Sequence, residues 1–223
     1  MSLNCQITNN IARITMDDGK ANVMTTEWIN IFTKTLDEAC ASGAKVLLLS
    51  GRPKFFSGGL DVKAVTAMDA AGLKKHLAHF ARAVFKLQLL PMPTVGLITG
   101  HAVAGGFILS SACDFRIGLD GPYKYQLTEL ALGIALPEWL PIIFEPSLPK
   151  PAFESIALSA RTLSPQEMKD NGFLLSLDRE LSELTARGDM LAAQLAELST
   201  TAYADSKMMM RGARVKQAIA GLE

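Results

Sequence analysis

A chain of 223 residues, 49% of them hydrophobic and 20% charged, is long enough for one large α/β core and too apolar for a disordered tail or a small disulfide-stapled scaffold. Lys plus Arg and Asp plus Glu both total 22, so no overall field draws the protein to nucleic acid or to an anionic membrane surface. Cys5, Cys40 and Cys113 leave an odd thiol in any pairing and show no C-x-x-C spacing, which points to reduced cysteines and a cytoplasmic setting.

The opening MSLNCQITNN has neither a charged n-region nor an apolar h-region, so no secretory signal is expected. Residues 3–17 alternate around Asn9-Asn10 and predict a β-hairpin. From Thr26 onward Trp28, Ile31, Phe32, Leu36 and Ala39 follow helical spacing, and Ser42-Gly43 ends that helix. KVLLLSG (45–51) is a continuous apolar run of strand length, as in strands covered on both faces. The loop RPKFFSGGLD leads into a helix with Leu73, His76, Leu77, Phe80, Val84 and Leu87 on one face, stopped by Pro91 and Pro93. TVGLITG (94–100) is a second buried strand and FRIGL (115–119), after a turn and a short helix, a third. No charged residue occurs from Leu87 to Cys113, yet Pro91, Pro93, Gly100, Gly105 and Gly106 break that run into pieces too short for a membrane span. Strand, crossover helix and strand in repetition imply an α/β fold with a mostly parallel sheet.

From about residue 137 the pattern turns helical. Ser164-Pro165-Gln166-Glu167 offers an N-cap, a proline at the first helical position and a capping-box Glu, and Asn171-Gly172 a stop. Leu184, Leu191, Leu195 and Leu198 fall on one stripe, and the Met run in SKMMMRGARVKQAIAG reads as core or subunit interface. The chain accordingly divides into a core over 1–136 and a helical region over 137–223 serving packing and oligomerisation.

Several chemistries find no support. Gly100-x-x-x-x-Gly105 has the start of a phosphate loop but continues Gly106-Phe107, without the Lys and Ser/Thr that contact phosphate and metal. His76 and His79 have no third partner for a metal, so no metal site is expected. Ser110, Ser111 and Cys113 lack a recognisable base and read as packing. Two glycine turns remain, FFSGGLD (55–61) and GHAVAGG (100–106), each following a buried strand and opening a helix. Either alone is an ordinary tight connection. Together they offer backbone N–H groups from a strand end and a helix start, which form an oxyanion hole where they converge.

GRPKFFSGGLD resembles the FSAGxD loop of the crotonase (enoyl-CoA hydratase/isomerase) superfamily. PTVGLITGHAVAGGFILSSACDFRIG resembles its second signature, and TLSPQEMKDNGFL a later segment. The resemblance implies a ββα spiral with mostly parallel sheets and a C-terminal helical region, assembled as a homotrimer or dimer of trimers. It implies an acyl-CoA thioester substrate, with coenzyme A as part of that substrate and no separate cofactor. The family's oxyanion donors fall on the N–H groups of Leu60 and Gly105. Substrate contacts fall on Ser57, Gly58, Gly59, Asp61, Gly106 and Ile108. DDGKANVMT resembles the loop along coenzyme A, which adds Lys20, Ala21 and Val23.

The family's hydratases carry one Glu two residues after the second turn's last glycine and another later. Here the first position is Ile108 and the second Glu129. That pattern, with SGGLD and LGIALPEW, most closely resembles the mitochondrial-type Δ3,Δ2-enoyl-CoA isomerases. It implies that Glu129 shuttles a proton from C2 to C4 through a dienolate, in a pocket where apolar Ile108 raises its pKa. Hydration or acyl-CoA hydrolysis by Glu129 or the nearby Glu138 is the alternative, and a non-catalytic acyl-CoA binder another. Ala104 stands where the family has the first glycine of a triple, and Gly58 where it has alanine.

Overall fold

The computed structural model describes residues 2–222. The chain opens with a hairpin of β1 (Ser2–Thr8) and β2 (Ile11–Asp17), paired antiparallel. Asn9 and Asn10 both take positive φ at its turn, the conformation that matches the twist of two adjacent strands. Then come β3 (Val23–Met24), α1 (Thr26–Ala41), β4 (Val46–Ser50), β5 (Lys54–Ser57), β6 (Gly59–Leu60), α2 (Val62–Ala67) and α3 (Ala70–Gln88). The third stretch holds β7 (Thr94–Ile98), β8 (Gly100–Val103), α4 (Gly105–Ser111), β9 (Phe115–Leu119), β10 (Tyr125–Gln126) and a 3₁₀ turn (Leu130–Leu132). The rest is α5 (Leu140–Phe144), α6 (Lys150–Ser159), α7 (Pro165–Asp170), β11 (Ser176–Asp178), α8 (Leu181–Ala196) and α9 (Thr200–Ala220).

Among the described residues three sheets result. The large one runs β1-β2-β4-β7-β9-β11, a small one runs β10-β8-β5, and β3 pairs with β6. Among the described residues every strand pairing except the hairpin is parallel, and two isolated bridges, Arg52–Phe55 and Tyr125–Leu163, are antiparallel. After the first turn, in which β3 pairs with β6, each turn lays one strand in the large sheet and the next in the small sheet, then crosses back through a helix where one follows, as β4-β5-α3 and β7-β8-α4 do. This is a ββα spiral.

The run VLLLS is apolar throughout because both faces of β4 are covered. Leu47 and Leu49 enter the main core, while Val46 and Leu48 join Val95, Leu97 and Ile117 under Leu184, Ala192 and Leu195 of α8. Gly188 lets α8 lie close, since a Cβ there would stand 2.6 Å from Leu97 Cδ2. The C-terminal helices share the main core: Phe107 of α4 meets Tyr125, Phe144 of α5 and Phe173 edge-on at centroid separations of 5.9, 5.0 and 5.1 Å.

Some expectations need correction. The strand expected over 94–100 is two, because the chain turns at Thr99-Gly100 and begins β8, where a side chain on Gly100 would sit 2.0 Å from Lys54 O. The loop RPKFFSGGLD contains β5 and β6, which are strands through their pairing with β8 and β3. Ile31 is 37% exposed although its spacing fits the apolar face of α1, and Leu198 lies past the end of α8, 49% exposed. Of the two readings of the Met run, core is the one corrected: Met208, Met209 and Met210 are exposed on α9, whose buried positions are Lys207, Gly212 and Val215.

Candidate active site

All three strands of the small sheet run parallel, so their carboxyl ends share one edge, where open α/β sheets place their ligands. Leu60 lies three residues after β5, Gly105 two after β8 and Glu129 three after β10. The donation from Ala104 N to Gln126 O at 2.8 Å holds the β8 and β10 exits together.

The first turn is fastened from within. Ser57 Oγ donates to Asn22 O at 2.6 Å and accepts from Gly59 N at 3.0 Å. Gly58 N donates to Ala21 O at 2.7 Å. Val23 and Met24 pair with Gly59 and Leu60, so the loop with Lys20, Ala21 and Val23 lies directly against the SGGLD turn. Asp61 accepts from the N–H groups of Lys63 and Ala64, capping α2.

The second turn nests into the first. Gly59 takes φ +91°, and a Cβ on it would stand 2.8 Å from Gly105 N. A Cβ on Gly105 would lie 3.2 Å from Leu60 N, and one on Gly106 2.2 Å from Ser57 O. The Leu60 and Gly105 amides are therefore neighbours, and both turns need glycine because backbone meets backbone there. No side chain caps α4, which leaves its first-turn N–H groups without the usual partner. Met24 Cε and Phe80 Cζ, 3.0 and 3.3 Å from the ideal Cβ of Gly105, wall this point.

Ala104 sits at φ +48°, ψ −123°, a region that glycine enters freely and alanine enters with strain. Ala104→Gly is expected to stabilise the protein by about 1 kcal/mol after allowing for glycine's greater freedom in the unfolded chain. Urea unfolding checks this; an unchanged or lower midpoint contradicts the strain.

Glu129 begins the 3₁₀ turn half-buried, and its Oε2 is fully buried with no hydrogen-bond partner among the described residues. Burial pushes its pKa up, against the opposing effect of its own and Thr128's backbone N–H. It is not the exposed helix-start carboxylate that its local sequence suggests. Ile108 is buried in the main core one turn into α4. Glu138 is exposed and lines a groove of about 1250 Å³ with Leu136, Trp139, Phe153 and Arg214. Glu129, Leu60 and Gly105 contribute nothing to that groove.

The residues set aside from the sequence have structural partners. Cys113 is buried with its thiol pushed up to about 12 by desolvation, which keeps it inert. Ser110 and Ser111 donate back to helix carbonyls. His76 Nδ1 lies 3.3 Å from Thr26 Oγ1. Asn22 was hidden in its loop motif, although asparagine's tolerance of positive φ marks it as a turn residue.

The family model for enoyl-CoA hydratase/isomerase matches residues 6–223. A probable enoyl-CoA hydratase of Bacillus subtilis is 27% identical over 195 residues, covering 85% of this chain and 74% of that protein. The human mitochondrial enoyl-CoA delta isomerase 1 is 30% identical over 181 residues, covering 78% of this chain and 58% of that protein. The crystal structure of a probable enoyl-CoA hydratase from Mycobacterium tuberculosis superposes with a TM-score of 0.91 at 26% identity, over 99% of this chain and 92% of that one.

Proposed function

The chain belongs to the enoyl-CoA hydratase/isomerase family, and from that membership we propose that it converts 3-enoyl-CoA to trans-2-enoyl-CoA with Glu129 as its base. The N–H groups of Leu60 and Gly105 hold the thioester oxygen. Charge that develops there when C2 loses a proton meets two fixed dipoles. Glu129 takes that proton and returns it to C4 of the dienolate, so one carboxylate serves both transfers.

One observation carries the reading: an unpartnered carboxylate oxygen buried at the edge where both glycine turns leave the small sheet. Its desolvation raises the proton affinity of Glu129, as a base for a carbon acid requires. Hydration needs a second group to help hold and split water, and the position where hydratases carry it is the core residue Ile108. The hydratase named among the relatives makes water addition the second reading.

The test is product analysis with 3-enoyl-CoA and with 2-enoyl-CoA. The expected results are migration of the double bond from the first and no 3-hydroxyacyl-CoA from the second. Efficient hydration overturns the isomerase assignment, release of free coenzyme A makes the protein a hydrolase, and binding without turnover makes it a non-catalytic binder.

A further inference from the structure

We propose that Asn22 is a positioning residue that sets the Leu60 amide against the Gly105 amide, an inference that rests on the reading of those two groups as oxyanion donors. Asn22 is 2% exposed and takes φ +52°. Its Nδ2 donates to Met16 O at 2.9 Å, Phe56 O at 3.1 Å and Phe55 O at 3.2 Å. Its Oδ1 accepts from Asp18 N at 3.0 Å, and its own N–H donates to Asp18 Oδ1 at 2.9 Å. The side chain thus joins the end of β2 in the large sheet to β5 in the small one.

From this hub the register passes to Leu60 in short steps. Asn22 O accepts from Ser57 Oγ, the hydroxyl that in turn holds Gly59 N. Ala21 O takes Gly58 N at 2.7 Å, and Met24 O takes Asp61 N at 3.3 Å. The segment 58–61 is therefore fastened on both sides of Leu60 to residues 21–24, which the Asp18 carboxylate holds through the N–H groups of Lys20, Asn22 and Val23 and which the Asn22 amide ties across to β2 and β5. Gly105 is placed separately, by the Ala104 N–H donation to Gln126 O at 2.8 Å and by the β8–α4 turn. Loss of the Asn22 amide frees one donor to move relative to the other, and displacements of about 1 Å at such a site cost on the order of 100-fold in rate.

Asn22→Gly tests this, because glycine accepts the positive φ while removing the side chain that carries the amide. Ser57→Ala removes the next link. Each is compared with the parent protein for kcat and KM on 3-enoyl-CoA, for its thermal melt, and for the red shift of a bound dienoyl-CoA, whose absorption reports polarisation of the thioester carbonyl. The expected result is a cooperatively folded variant with kcat about 10- to 100-fold lower, KM within about threefold, and a smaller red shift. A merely structural Asn22 lowers the melting temperature and leaves kcat and the shift intact, which overturns the proposal. If Asn22→Gly does not fold, the same two readouts on Ser57→Ala decide the matter in the same directions. Absence of a red shift in the parent overturns the reading of Leu60 and Gly105 instead. A full shift in parent and folded variant alike overturns the Asn22 role alone.

Discussion

With Glu129 as the proposed base, Glu129→Gln is expected to lower turnover of 3-enoyl-CoA by about 100- to 10,000-fold, the range general-base removal covers, while acyl-CoA binding stays near that of the parent. The amide is nearly isosteric with the carboxylate and keeps an oxygen to accept from the Thr128 and Glu129 N–H groups. It cannot take the C2 proton. Near-parental turnover in a folded variant would mean that Glu129 is not the base.

The same residue fixes two pH effects. Desolvation raises the folded-state pKa of Glu129, so with Glu129 as the proposed base kcat/KM of the parent is expected to fall as pH drops through a value above the ordinary Glu range of about 4.3. The linkage to stability has the opposite sign from a salt-bridged carboxylate. With the folded pKa above the unfolded one, the native state binds protons more readily, and ionisation at neutral pH works against folding. Glu129→Gln is therefore expected to melt higher than the parent at pH 7, with the difference closing as pH falls through the folded and then the unfolded pKa. Such exchange of stability for function is common at active sites.

The parts of this fold legible in the chain are those where a local pattern and its burial coincide. VLLLS reads as a doubly covered strand and is one, and Ser164 and Glu167 form the capping box their spacing predicts. The small sheet is not legible, because β8 and β10 are four and two residues long and become strands only by pairing with each other and with β5. The site inherits this. Both glycine turns stand out in the sequence, but their nesting depends on the β5–β8 pairing between segments more than forty residues apart. Burial of Glu129 depends on where β10 leaves the sheet, and TELALG by itself reads as solvated helix. Lys207 inverts the pattern of α9: its Nζ sits 2.6 Å from Asp114 and donates to the carbonyls of Leu90 and Met92, while the methionines beside it face out. A partner 93 residues away in sequence decides that, and a hydropathy pattern within the helix carries no trace of it.

Gly59→Ala is expected to remove about 100- to 1,000-fold of the turnover, comparable to deleting an oxyanion donor, although it changes no residue that touches a proton. The added methyl would stand 2.8 Å from Gly105 N, 2.8 Å from Val103 O and 3.0 Å from Ala104 Cβ, and the first two are separations that real Cβ atoms essentially never show. Two of those atoms are backbone, so relief comes only if one turn withdraws from the other and takes its amide with it. The change also forces alanine to φ +91°, a strain of about 1–3 kcal/mol. That second effect has nothing to do with the site and needs its own control. Gly43→Ala supplies it, since Gly43 takes φ +76° with nothing within 4 Å of its ideal Cβ and lies in the turn after α1. Both variants are expected to melt lower than the parent, and only Gly59→Ala to lose turnover at a temperature where both remain folded. Equal activity in the two folded variants would mean that the contact between the glycine turns does not set the placement of the Gly105 amide.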